Sequence, residues 1–286
     1  MRQLLCILIL AAATLASRAA TSVDLVNRYA YGANIGWLDA VAETNHGAVI
    51  GQYYCWGSLY SANVGWISLG TGVPVNYVQY QNNSATDYGV NLDAVGNLRG
   101  YAYGANIGWV AFESTGAPQV NLLTGQLSGS AWSANCGWIS LSNTIAFVQT
   151  DTLPPGPLDT NALPIAWELI YFGTTGVDPN ADPDHDGVSN YNEYLAGTDP
   201  VSGPDALKII AETFAPGGTA ASLTWNSKPT HYYQILKAPS LTSTNWLDCG
   251  LNRITPSPGT NTTASFADTN APERFYRVLG YQALPP

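Results

Sequence analysis

The sequence predicts a mainly β protein in three parts: a tandem-repeat β domain, a short helix-loop-helix calcium segment and a small C-terminal β-sandwich. Two observations carry the β character. The unit Tyr29-Ala-Tyr-Gly-Ala-Asn-Ile-Gly-Trp37 returns as Tyr101-Ala-Tyr-Gly-Ala-Asn-Ile-Gly-Trp109, and residues 206–286 alternate apolar and polar positions between clusters of Pro, Gly, Asn and Ser. A third observation, the acidic run from Asp182 to Glu193, places a helical interruption between the two β regions.

Composition bounds the class. The chain has 286 residues, 46% of them hydrophobic and 10% charged, which excludes a charge-driven disordered polymer and leaves apolar material for real cores. Ten Lys plus Arg stand against twenty Asp plus Glu, a net charge of −10. Phosphate backbones and anionic membranes are poor partners for such a surface, so neither nucleic acid binding nor membrane insertion is expected, and cations are favoured.

At the start, Met1-Arg2, the apolar stretch Leu4 to Leu15 and the small residues around Ser17-Arg18-Ala19 read as a signal peptide over 1–19. The apolar run is shorter than the roughly 20 residues a spanning helix needs. The expectation is an exported bacterial protein, secreted, extracellular or held at the cell surface. Cleavage would leave Cys55, Cys136 and Cys249, an odd number that allows one internal bridge.

Residues 20–150 form the repeat domain. Two divergent copies, Leu59 to Trp66 and Ala131 to Trp138, join the two near-identical ones, so the central asparagines fall at 34, 63, 106 and 135, spaced by 29, 43 and 29. A unit of two related halves has been doubled. Each copy reads strand, turn, strand, with Asn taking the left-handed backbone of a tight turn. Gly36, Gly65, Gly108 and Gly137 then fall in the return strand, where a missing side chain marks a bulge or the close approach of an aromatic.

The regularity of Trp37, Trp66, Trp109 and Trp138 favours an inward, core-forming role. The residues that vary between copies, Tyr31, Tyr60, Tyr103 and Trp132, are the candidate ligand-binding positions, as stacking platforms for sugar rings. Cys55 and Cys136 lie in corresponding halves of the duplication and are the candidate disulfide, with Cys249 unpaired. Asp39 and Glu43 are the one close acidic pair here, but the second copy has Ala111 and Thr115 in their place. No catalytic arrangement emerges around the three histidines or the cysteines, and the chain reads as a non-enzyme.

After Val148 a proline-dense stretch over 151–162 reads as a linker. Pro164 to Phe172, bounded by Gly173, reads as a short helix. Residues 151–205 hold ten acids and neither Lys nor Arg, a charge density that calls for a cation. The run Asp182-Pro-Asp-His-Asp-Gly-Val-Ser-Asn-Tyr-Asn-Glu193 supplies its site. Carboxylates at alternate positions, Asp182, Asp184 and Asp186, converge as the backbone curls, and Gly187 makes the bend. Val188 offers its carbonyl, Asn190 fills the ninth position, and Glu193 closes the shell from the start of a helix over Asn190 to Ala196, ended by Gly197. The expected ion is Ca2+.

This run, with Gly197-Thr-Asp-Pro200 after it and Leu163-Pro-Ile-Ala-Trp-Glu-Leu-Ile-Tyr-Phe-Gly173 before it, resembles the thrombospondin type 3-like and dockerin-like calcium segments of secreted bacterial proteins. The resemblance covers 163–205. It implies a calcium-ordered segment, not cohesin docking, because the loop occurs once and Ser189 stands where paired loops place an apolar contact. Residues 206–286 resemble the β-domain that follows such segments, with strands expected around Ser222 to Asn226, His231 to Leu236 and Arg274 to Val278.

Together these readings give an exported, calcium-binding structural or adhesive surface-associated protein, with calcium clasping the inter-domain segment. The alternative is a carbohydrate-binding protein using the repeat aromatics, with extracellular polysaccharide or cell-surface components as partners. A glycoside-active enzyme ranks third.

Overall fold

The computed structural model describes residues 21–42, 45–268 and 275–285. The signal-peptide reading, Glu43 and Arg274 lie outside the described residues. The fold is mainly β with two short helices, as the repeat pattern and the alternation predict.

The four repeat copies are four β-hairpins. Their strands are Val23–Gly32 with Gly36–Asp39, Ser58–Ser61 with Gly65–Ser68, Leu98–Gly104 with Gly108–Phe112, and Ser130–Ser133 with Gly137–Ser140. Each hairpin pairs antiparallel with the next through Asp39↔Tyr60, Ile67↔Gly104 and Trp132↔Ala111. The fourth returns to the first through Tyr31↔Ser140 and Gly32↔Ile139, so the eight strands close into an up-and-down barrel with no free edge.

The turn chemistry differs from the sequence expectation in an instructive way. In the first and third hairpins a three-residue loop is closed by the N–H of Ile35 on Gly32 O and of Ile107 on Gly104 O, both at 3.1 Å. The left-handed residue that ends each loop is the glycine, with φ of 74°, 79°, 71° and 76° at Gly36, Gly65, Gly108 and Gly137. The asparagines are freed from that duty and reach sideways instead. Asn34 Nδ2 donates to Cys136 O, Asn63 to Ile35 O, Asn106 to Val64 O and Asn135 to Ile107 O, at 2.9–3.1 Å. Each bond crosses to the neighbouring hairpin, and the four form a closed ring around one end of the barrel. Truncating one link, Asn135→Ala, is expected to cost about 1 kcal/mol in urea unfolding, the usual net worth of one such bond.

The barrel interior is packed. Ala30, Leu38, Leu59, Ile67, Ala102, Val110, Ala131 and Ile139 point inward and are buried, and Ile35, Ile107 and Cys136 are buried under the Asn ring. A second layer from Ile50, Cys55, Val90, Leu98, Phe112 and Val148 extends the same core. The residual internal space is about 20 Å³, too small for an organic ligand.

Two corrections follow from this packing. The residue after each repeated Trp faces inward, so strand alternation turns Trp37, Trp66, Trp109 and Trp138 outward, with 44–48% of each exposed. The expected Cys55–Cys136 bridge is absent: Cys55 and Cys136 are separate, buried thiols. Cys136 takes the place that Ile35 and Ile107 hold in their copies and serves as a small hydrophobe, while burial pushes the Cys55 thiol up to about 12.

The C-terminal region is a sandwich of two three-stranded antiparallel sheets. One contains Ile209–Phe214, Ala220–Asn226 and Asn261–Ala267, the other Leu247–Asp248, His231–Ala238 and Phe275–Gln282. Their shared core is Leu223, Trp225, Tyr233, Ile235 and Phe266, with the Trp225 and Tyr233 rings 5.6 Å apart. Beyond the last strand, Leu284 joins the barrel core and Pro285 O accepts the Leu153 N–H.

Candidate calcium site

Between barrel and sandwich lie helices α1 (Ile165–Tyr171) and α2 (Asn190–Ala196). Alternation of apolar residues at helical spacing lets Trp167 of α1 and Tyr194 of α2 meet at 5.9 Å, with Leu163 beneath and Tyr53 of the barrel region packed against them. Gly197 ends α2 in the left-handed conformation, φ 67°. The segment touches both neighbours. Tyr194 donates its hydroxyl to Gln52 Oε1 (3.3 Å), and His231 Nε2 of the sandwich lies 3.1 Å from Leu195 O.

The loop preceding α2 curls as the acidic pattern requires. Asp182 accepts the N–H groups of Asp186 (3.2 Å) and Gly187 (2.9 Å), Asp186 accepts that of Val188 (2.8 Å), and Gly187 bends at φ 93°. Against its own desolvation, these donors hold the Asp182 carboxyl below the ordinary carboxylate value. Oxygens of Asp182, Asp184 and Asp186 come within 4.8 Å of one another. Three carboxylates that close repel unless a cation or protons intervene.

Two of these carboxylates, with Asn190 and Glu193, carry unpartnered oxygens. Asp184 Oδ2, Asp186 Oδ2, Asn190 Oδ1 and Glu193 Oε2 are buried and have no hydrogen-bond partner. Asn190 spends its amide on Asp178 O (2.8 Å), which turns its chemistry toward acceptance. Glu193 is fully buried and uses Oε1 for the Thr198 hydroxyl (3.2 Å). Its carboxyl is pushed up to about 7, first by burial and then by Asp184, Asp186 and Asp182. Val188 spends its N–H within the loop, leaving its carbonyl as the one donor it could offer an ion. Hard, oxygen-only donors of this number suit Ca2+. Lys208 Nζ stands 3.6 Å from Asp186 Oδ2 and supplies part of the positive charge.

One acid escaped the sequence reading. Glu168, fully buried on α1, accepts the Val177 N–H at 2.7 Å, and Asp159 accepts those of Asn161 and Leu163 at 2.8 and 3.0 Å. Burial, and the proximity of Asp159, push the Glu168 carboxyl up. The pair ties the chain before α1 to the approach of the acidic loop. A lone acid between Trp167 and Leu169 in an apolar helix was the available signal.

His231 gives the junction a pH dependence. Burial pushes its imidazole down to about 4 from 6.5. The unfolded chain therefore binds the extra proton between those values, so the contribution is complete above pH 6.5 and is lost as pH falls through 4, a difference of about 3 kcal/mol. Unfolding midpoints measured in EDTA at pH 7 and pH 4 are expected to fall further for the natural protein than for His231→Gln. Equal slopes would assign the acid sensitivity elsewhere.

Of the candidate ligand positions, Tyr31, Tyr60, Tyr103 and Trp132 all face outward and pair across their hairpins with Trp37, Trp66, Trp109 and Trp138. Ring centroids of the first three pairs are 4.8–4.9 Å apart. The barrel thus wears a belt of aromatic pairs. Comparison with protein-family models, with curated proteins and with solved structures gave no match to the chain.

Proposed function

We propose that the chain is an exported, non-catalytic structural or adhesive protein in which one Ca2+, held between Asp182 and Glu193, clasps the segment that joins the barrel to the sandwich. The observation that carries this reading is the convergence of three Asp carboxylates beside buried, unpartnered oxygens of Asn190 and Glu193. The barrel interior leaves only about 20 Å³ of space, and among the described residues Lys208 is the one cation paired with the three loop carboxylates. A lone loop of this type binds in the range of about 10⁻⁴ to 10⁻³ M, which suits an extracellular structural ion rather than a signal.

Limited proteolysis tests the clasp. In millimolar calcium, residues 151–205 are expected to resist cleavage, and EDTA is expected to open them first while the barrel and sandwich persist. A cleavage pattern unchanged by EDTA would refute the reading.

A further inference from the structure

The 43-residue gap between the second and third asparagines, against 29 elsewhere, adds a segment over 69–89 that folds back on the outside of the third hairpin. It is firmly held. Tyr80 is buried, its hydroxyl donating to Cys55 O, and Asn91 grips its backbone from both sides, accepting its N–H (2.8 Å) and donating to its carbonyl (2.9 Å). Asn82 accepts the Gly89 N–H at 3.0 Å. Gly70 and Gly89 lie flat on the Tyr80 ring, where an added Cβ would come within 2.5 and 2.2 Å.

This loop brings Tyr88 against Trp109, the rings 5.0 Å apart and edge-on. Trp109 already has Tyr103 and Tyr101 as strand neighbours at 4.9 and 6.1 Å. The result is a cleft of about 440 Å³ lined by the aromatic rings of Tyr88, Tyr101 and Trp109 together with Asn82, Asn83 and Ser84. Trp37 sits at the equivalent place of the first hairpin with Tyr29 and Tyr31 beside it, but its neighbourhood carries the Arg28–Asp39 ion pair (3.1 Å) and it does not line this cleft.

We infer that this cleft binds a neutral sugar unit of a polysaccharide. Aromatic rings present electron-rich faces that attract the C–H faces of a pyranose, and amide and hydroxyl groups at the rim match its equatorial hydroxyls. Every lining residue is uncharged, so an anionic glycan finds no counter-ion. The volume lies within the range of about 300–1,000 Å³ typical of small-molecule sites. Asn83 is exposed and has no intramolecular hydrogen bond among the described residues, so its amide is available. A purely apolar peptide would leave that amide rim unmatched. The inference rests on the reading of the chain as a non-catalytic adhesive protein, not on the calcium site.

Affinity electrophoresis of the full chain tests it, in gels containing hydroxyethylcellulose, barley β-glucan, galactomannan or pullulan, with polygalacturonate as the anionic counterpart. At least one neutral polymer is expected to retard the protein. Trp109→Ala should weaken that retardation at least tenfold and Asn83→Ala severalfold, while Trp37→Ala changes it less than twofold. Retardation by none of the neutral polymers, retardation by polygalacturonate alone, or equal losses for Trp109→Ala and Trp37→Ala would overturn the assignment. Because the cleft belongs to the barrel, retardation should persist in EDTA, so loss of the calcium reading and loss of this one give different results.

Discussion

Adding 10 mM calcium to metal-free protein is expected to stabilise it by about 1.4–2.7 kcal/mol, the linkage value for one site with a dissociation constant of about 10⁻⁴ to 10⁻³ M. Asp186→Ala should abolish that gain. Glu193→Gln separates the ion from ordinary packing. In EDTA it removes a buried charge that Asp184, Asp186 and Asp182 oppose, so the metal-free variant should be at least as stable as the natural chain. In calcium it should gain almost nothing, because the closing carboxylate is gone. Thermal unfolding with and without calcium reads both signs at once, and an undiminished calcium shift in either variant would count against the site.

A large effect is expected in the barrel at Gly129 and Gly57, which hold equivalent positions in the doubled unit. Both are left-handed, φ 76° and 77°, and both give their carbonyls to the N–H just past a strand, Leu141 and Leu69, at 2.9 Å. A Cβ at Gly129 would sit 2.1 Å from Ala117 O, and one at Gly57 2.0 Å from Gly47 O. The obstacle is backbone in each case. Gly129→Ala must therefore bear the left-handed cost of about 1–2 kcal/mol and also displace a paired segment, for a total above about 3 kcal/mol. Gly173, with φ 67° and open space around it, isolates the first contribution. Urea unfolding of Gly129→Ala and Gly173→Ala compares them, and equal losses would show that the close approach is unimportant.

Much of this architecture was legible in the residues. The four hairpins, both helices and the Gly187 bend stand where spacing and capping place them, because each is a local consequence of Gly and Pro chemistry, although the asparagines do not take the left-handed position expected of them. The orientation of the repeated Trp was also legible, although the regularity of the Gly-Trp unit pointed the other way. Leu38, Ile67, Val110 and Ile139 follow the four Trp in every copy, and alternation allows only one of each pair inside. Closure into a barrel was not readable, since it depends on short pairings such as Asp39↔Tyr60 between strands of four residues. The asparagine ring joins residues up to 102 apart and shows only once the barrel is closed. The Tyr88 wall belongs to no repeat, and the longer gap announced an insertion without saying which side chain it would carry.

The central claim is that the oxygens between Asp182 and Glu193 gather a divalent ion, and titration calorimetry with calcium tests it most directly. One ion per chain, bound with a dissociation constant of about 10⁻⁴ to 10⁻³ M and lost in Asp186→Ala, is the expected result. Absence of saturable binding in the natural protein, or a stoichiometry and affinity that Asp186→Ala leaves unchanged, would contradict it.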